Sequence, residues 1–356
     1  METLKFLIFA DPHWSSYSSI VRSRGTKYST RLENLIASMN WVEQTALSLQ
    51  CDGVIGLGDF FDKADLNSEE VTALQEIKWC GIPHYFIVGN HEMGRCDLSF
   101  SSSHMFTLSP NSVVLDKPCT LFSDDTRELC ILPYILESER KSFTEYFAPL
   151  SYGRSRVILS HNDLSGVFMG SFVSREGFSL EEIEANCDLF INGHLHNNSW
   201  VSSKVVNIGN LTGQNFSEDA TKYSHNVLVL DTDKRNIEWY ENPYAMNFYK
   251  FDFSSYDDSE NSAKSIQTTL DSVKNNAVVT ILVNPESKFI VEDLLSTNDK
   301  IISCRVITDA LKATSIAEAV STSDMSIDHL QKFTEYVKEH FDNDATVLEE
   351  LQKVLS

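Results

Sequence analysis

The chain has 356 residues, 42% hydrophobic and 22% charged, enough for a sizeable core and, by length, for two or three domains. No apolar run approaches the ~20 residues of a membrane span. The net charge of −22 disfavours an unaided nucleic-acid binder, unless bound cations or a basic partner supply the positive surface that phosphates require.

The N-terminal apolar stretch is short, with neither a basic flank nor a small-residue cleavage site. It reads as a first strand rather than a signal peptide, and the cytoplasm of the host cell is the expected location. Cys51, Cys80, Cys96, Cys119, Cys130, Cys187 and Cys304 are scattered and form no CxxC pair, which argues against a disulfide framework or a cysteine zinc site.

In chain order, apolar strands are expected at residues 4–10, 53–57, 85–88, 113–115, 129–132, 157–160, 189–192, 205–208, 227–230 and 237–240. Between the first two, Leu32, Leu35, Ile36, Met39, Val42, Ala46, Leu47 and Leu49 recur at helical spacing. A second helix is expected from Ser68 to about Trp79, before the Ile82-Pro83 break. The alternation predicts a layered α/β domain over residues 1–247. An acidic, Ser-rich stretch at 252–264 marks a composition shift. A helix, strand, helix and strand then follow over 265–307, predicting a small α/β domain at 248–309. Residues 310–325 read as a linker. A C-terminal helical pair is expected over 326–356, with apolar faces formed by Ile327, Leu330, Phe333, Val337 and Phe341, then by Val347, Leu348, Leu351, Val354 and Leu355.

Five short motifs stand where strands are predicted to end. They are Asp11-Pro12-His13, Gly58-Asp59-Phe60-Phe61-Asp62, Gly89-Asn90-His91-Glu92, Ser160-His161 and Gly193-His194-Leu195-His196. In α/β sheets ligands bind beyond the carboxyl ends of strands, so five such ends converge on one place. Half of the ten histidines lie within these motifs. Carboxylates, imidazoles and one amide oxygen suit Mn, Fe, Zn or Co. Seven such ligands exceed the needs of one tetrahedral ion and suit a two-ion clamp for displacement at phosphorus.

In this order the motifs resemble the five signature blocks of the calcineurin-like metallophosphoesterases. The resemblance implies a four-layer α/β/β/α sandwich. It also implies one ion on Asp11, His13 and His196, a second on Asn90, His161 and His194, and Asp59 as the bridge. By the same resemblance His91 contacts the phosphate and protonates the leaving oxygen, and Asp62 orients His91. Two departures stand out: the segment after His13 is WSSYSS, and the third block ends in Glu92 where Asp is common.

Within that superfamily the chain resembles SbcD-type DNA nuclease subunits. The similar features are domain order, Leu132-Pro133-Tyr134, the stretch from Ser160 to Gly166, and Val206-Asn207-Ile208-Gly209-Asn210. This implies an exo- or endonuclease using Mn (with Mg, Fe, Zn or Co as alternatives) that acts on DNA as a homodimer. It also implies an SbcC-like, SMC-family coiled-coil ATPase partner docked on the C-terminal helices, in repair, recombination or replication. The basic run Arg22, Arg24, Lys27 and Arg31 is the expected grip on a DNA backbone. The alternatives are a phosphodiesterase or phosphatase acting on a small nucleotide or phosphoprotein, which the acidity favours, and a non-catalytic scaffold on the same fold.

Overall fold

The computed structural model describes residues 4–18, 25–150, 152–169, 172–233 and 236–308. The expected linker and C-terminal helical pair lie outside the described residues, as do Arg22 and Arg24.

Strand β1 (Lys5–Phe9) shows why the chain stacks in layers. Leu7 and Phe9 point to one hydrophobic cluster, Phe6 and Ile8 to another, and all four are buried. A strand buried on both faces belongs in the middle of a layered structure. Helix α1 (Thr30–Ser48) covers the outer face with Leu32, Leu35, Met39, Val42 and Ala46, and the Ser29 hydroxyl caps it by accepting from Leu32 N at 3.1 Å. Strands β2 (Gly53–Leu57), β3 (His84–Ile87) and β4 (Ser112–Leu115) continue the sheet in parallel. Between β2 and β3, helix α2 (Ser68–Ala73) runs into a 3₁₀ turn, Leu74–Glu76, so the expected second helix ends earlier than its pattern suggested.

The second sheet is built from β5 (Cys119–Ser123), β6 (Arg127–Leu132), β7 (Ser155–Ser160), β8 (Leu189–Asn192), β9 (Ser199–Trp200) and β10 (Val205–Asn207). Its order is β9-β10-β8-β7-β6-β5, and the four central strands are parallel. Helix α3 (Leu180–Asn186) packs on its outer face through Ile183, against Phe143, Phe178 and Phe190. The first sheet is completed by the antiparallel strands β11 (Asn226–Asp231) and β12 (Asn236–Glu241), giving the order β12-β11-β1-β2-β3-β4. Between the sheets lies a core of Ile8, Ile55, Leu57, Ile87, Ile131, Leu159, Ile191, Val206 and Leu228. With helices on the outer face of each sheet, the result is a four-layer α/β/β/α sandwich.

A third sheet of three parallel strands follows: β13 (Asn247–Phe253), β14 (Ala277–Val283) and β15 (Ile301–Thr308). Helices α4 (Glu260–Asp271) and α5 (Lys288–Ser296) pack on it through Ile266, Leu270 and Val291. Strand β13 alternates Tyr249, Phe251 and Phe253 with Lys250 and Asp252, a short strand signal that was passed over beside the acidic, Ser-rich stretch that follows. The segment between Gly213 and Ala220 joins this sheet to the sandwich: Ala220 N donates to Phe248 O at 2.9 Å and Gly213 N to Met246 O at 3.1 Å.

Candidate metal centre

The parallel strands deliver their polar residues to one edge. Asp11 and His13 follow β1, Asp59 follows β2, Asn90 follows β3, His161 follows β7, and His194 and His196 follow β8. The loops after β1 and β2 run side by side: His13 N donates to Asp59 O at 3.0 Å and Trp14 N to Phe60 O at 2.7 Å. Asp11, His13, Asp59 and His194 all have left-handed backbones, with φ of 50°, 47°, 46° and 68°. Such residues cost about 1–3 kcal/mol each and persist where surrounding structure holds them, as at functional sites. Two motif glycines have a steric reason. A Cβ on Gly58 would lie 2.4 Å from His161 Nδ1, and one on Gly89 would lie 2.2 Å from Asp59 Oδ1.

The histidine rings fix where positive charge must sit. His13 Nδ1 lies 3.0 Å from Asp62 Oδ1, and His196 Nδ1 lies 2.8 Å from Glu218 Oε1. Each Nδ1 therefore donates, which leaves the two Nε2 atoms as lone pairs, and they face each other at 3.1 Å. The same arrangement recurs beside it. His161 Nδ1 donates to Leu57 O at 2.6 Å and His194 Nε2 to Asp163 Oδ1 at 3.0 Å, so His161 Nε2 and His194 Nδ1 face each other at 3.3 Å as acceptors. Two lone pairs at that distance repel unless a cation lies between them. Asp59 spans both pairs, with Oδ2 3.1 Å from His161 Nε2 and 3.8 Å from His13 Nε2. Asn90 Oδ1 is 3.1 Å from His161 Nε2. Asp11 Oδ1 is fully buried without a hydrogen-bond partner, 3.8 Å from His13 Nε2, a bare anionic oxygen that a cation would satisfy.

Without an ion, protons take up that positive charge on His161 and His196. Burial alone would lower His161, but the Asp59 and Asp11 carboxylates outweigh it and raise its pKa to about 10. Burial is likewise outweighed at His196, where Glu218 raises the pKa to about 9. Burial opposes the charge on Glu218, but the His196 contact holds its pKa down at about 2. At His13 burial prevails over Asp62 and lowers the pKa. The site thus binds positive charge strongly even as protons, which a divalent ion must displace.

A model of the family described as calcineurin-like phosphoesterase matches residues 4–254. The chain belongs to that family. No curated protein matches it. Among solved structures it is similar to the protein TT1561 of Thermus thermophilus, at 9% identity and a TM-score of 0.37, covering 67% of this chain and 99% of that one. It is also similar to a dimetal phosphatase from Danio rerio, at 12% identity and a TM-score of 0.40, covering 64% of this chain and 92% of that one. A third is the purple acid phosphatase PPD1 from yellow lupin (Lupinus luteus) seeds, at 14% identity and a TM-score of 0.41, covering 67% of this chain and 53% of that one.

A calcineurin-like phosphoesterase is a dimetal-dependent hydrolase, and the residues here fit that requirement. Three groups offer ligand atoms within 4.8 Å of one another: Asp11, His13 and His196; Asp59, His161 and His194; and His13, Asp59 and His91. When bound, the cations polarise phosphoryl oxygens and lower the pKa of a water. His91 stands at the rim with its side chain 46% exposed, while its backbone N donates to Asp59 Oδ1 at 2.9 Å. Among the described residues, no helix of this phosphoesterase is long and apolar enough to cross a membrane.

Several placements differ from the expectations drawn from sequence. The Asp62 carboxylate is closer to His13, at 3.0 Å, than to His91, at 3.7 Å, and His91 Nδ1 instead lies 3.3 Å from the Asp62 backbone carbonyl. Arg31 is no surface grip. Its guanidinium is buried under the loops, donating to Gly213 O at 2.8 Å and Pro12 O at 2.9 Å, and burial lowers its pKa to about 10. It sits on the buried face of α1, where the helix meets the first ligand loop. Lys27 is exposed but paired with Glu76.

Sequence reasoning also missed Glu218 and Asp163, which orient His196 and His194. Asp163 follows His161 by two residues, a spacing that hinted at a role. Glu218 lies in no motif. Glu92 is explained by its reach: its carboxylate accepts from Gly89 N, Phe61 N and Ser103 Oγ at 2.9, 3.0 and 2.7 Å, tying two ligand loops together.

Proposed function

We propose that this phosphoesterase is the nuclease subunit of a DNA-processing complex, hydrolysing DNA phosphodiester bonds in repair, recombination or replication. The observation that carries the hydrolytic part is the double set of facing lone pairs, His13 with His196 and His161 with His194, spanned by Asp59. Asp11, His13 and His196 would hold one ion and Asn90, His161 and His194 the other, with Mn the proposed metal. His91 gives up a proton to the departing sugar oxygen, and Asp62 steadies both His91 and His13. Support for DNA as substrate comes from the SbcD-like order of sandwich and small α/β unit, together with the Leu132-Pro133-Tyr134 segment beside the site. The Tyr134 ring lies 6.0 Å from that of His194. The proposal includes a homodimer in the cytoplasm and an SMC-like coiled-coil ATPase partner, whose basic surface would offset the charge of −22.

A second reading, hydrolysis of a small nucleotide or phosphoprotein ester, is favoured by that acidity and by the burial of Arg31, which removes one cation from the expected DNA grip. One panel separates the two: wild type, Asp59→Ala and His91→Ala with Mn on linear DNA, single-stranded DNA, cyclic nucleotides and bis-p-nitrophenyl phosphate. Cleavage of DNA by wild type and by neither variant supports the nuclease. Hydrolysis of cyclic nucleotides with DNA left intact, even with the ATPase present, overturns it.

A further inference from the structure

A second group of metal-type ligands lies at the opposite end of β3 from Asn90. Glu43 is on the sheet-facing side of α1, Cys80 follows the 3₁₀ turn after α2, and His84 opens β3. All three are buried, with relative exposures of 1%, 9% and 3%. One carboxylate oxygen, the thiol sulfur and one ring nitrogen come within 4.8 Å of one another.

The hydrogen bonding of His84 demands a cation in this group. Its Nδ1 lies 2.9 Å from the carbonyl oxygen of Ile82, which can only accept, so Nδ1 carries the proton. A neutral ring then turns a bare Nε2 toward Glu43, 3.0 Å from Oε1 and 3.1 Å from Oε2. Nitrogen lone pair and carboxylate would repel, so positive charge lies between them, either a second proton or a metal ion. The spacing matches that between facing ligands at the dinuclear centre, where His13 and His196 stand 3.1 Å apart. A backbone carbonyl fixing the remote ring nitrogen is also the usual way a metal-binding histidine is oriented.

Three features favour a metal over a proton. The third donor is a thiol, and a nitrogen, oxygen and sulfur set selects zinc-like ions over Mg or Ca. One divalent ion with a thiolate, a carboxylate and a neutral imidazole leaves no net charge, which suits a dry site. The Trp79 ring packs edge-on against His84 at 5.5 Å and is itself 39% exposed, which puts the site just beneath the surface. The loop carrying Cys80 is also strapped to α1 one helical turn away, where Lys78 N donates to Asn40 Oδ1 at 2.7 Å.

We propose that Glu43, Cys80 and His84 form a third, structural metal site for zinc or a zinc-like ion, separate from the hydrolytic centre. It is independent of the substrate assigned above.

The test is to strip the full chain of metal and titrate it with Co(II). The dinuclear centre contains no thiol, so a cysteine-to-cobalt charge-transfer band reports only a cysteine site. The expected result is a band whose plateau, reached within about three equivalents because the dinuclear centre takes two, corresponds to one thiolate-bound cobalt per chain; it is lost in Cys80→Ser and retained in Cys187→Ser. Cys80→Ser should keep hydrolysis of bis-p-nitrophenyl phosphate within twofold of wild type. Absence of the band, or its survival in Cys80→Ser, overturns the proposal and leaves a buried ion pair. Should Cys80→Ser fail to fold, zinc X-ray absorption on the loaded wild type decides: a sulfur neighbour at about 2.3 Å supports the site, and an all-nitrogen-and-oxygen shell rejects it.

Discussion

The Glu218 carboxylate accepts the Nδ1 proton of His196 at 2.8 Å across 22 residues of sequence, and so decides which face of that imidazole is a ligand. The same carboxylate accepts from Asn210 Nδ2 at 3.0 Å and Gln214 N at 2.7 Å, and the next two residues pair with β13. One buried acid thus joins the metal centre to the third sheet. Glu218→Gln keeps the shape but removes the charge and frees the His196 tautomer. Metal affinity should fall about 10- to 100-fold, measured by competition with a chromophoric chelator. Unchanged affinity would show that His196 needs no carboxylate behind it.

Asp62 makes the equivalent contact to His13. Because it touches both His13 and His91, Asp62→Asn should lower metal affinity as well as kcat. A variant that lost kcat alone, at saturating Mn with affinity intact, would mean that Asp62 serves His91 only.

The His91 ring makes its ion-pair contact with Asp62 at 3.7 Å and stands at the rim. His91→Ala should therefore retain both metals and lose kcat by about 10²- to 10⁴-fold, the usual range for a general acid. The loss should be smaller on p-nitrophenyl esters, whose leaving group needs no proton, than on alkyl esters. An equal loss on both would assign His91 to phosphate binding.

Cations that bind only the folded state stabilise it. At free Mn about a hundredfold above Kd, each ion contributes about 2.7 kcal/mol. A chelator should then lower Tm by roughly 2–4 °C per kcal/mol lost for a domain the size of the sandwich that carries the site. A Tm unmoved by chelation and by added Mn would argue against cations at these ligands.

Arg31→Met removes two hydrogen bonds to the loop carbonyls of Pro12 and Gly213 while preserving length. Leaving buried carbonyls unpaired costs about 1–3 kcal/mol each, read as a drop in the denaturant midpoint. If the chain binds DNA, the slope of log affinity against log salt should stay as in wild type, since Arg31 faces the core. A slope reduced by about one would mean that it reaches a phosphate after all.

The layered α/β fold was legible because both of its periodicities are strong. Strands such as Gly53–Leu57 are buried at every position, and Leu32, Leu35, Met39, Val42 and Ala46 recur at helical spacing along the buried side of α1, which also carries Arg31, Ser38 and Glu43. Strand β13 was passed over although Tyr249, Phe251 and Phe253 alternate with Lys250 and Asp252: the signal spans only five residues and runs directly into the acidic, Ser-rich stretch from Asp252. The short α3 escaped for a similar reason, since Ile183 is its one buried residue.

The sequence alone determined which residues could carry the chemistry. Polar ligand types at the ends of apolar strands can converge on one edge, because parallel strands share a direction. What each ligand's far side touches was decided only by the tertiary structure. Glu218 reaches His196, Asp163 reaches His194, Asp62 turns to His13, Arg31 is drawn inward, and Glu43, Cys80 and His84 meet from three separate elements. These contacts depend on how sheets, helices and loops pack in three dimensions, and burial then sets the tautomers and charges that no local spacing encodes.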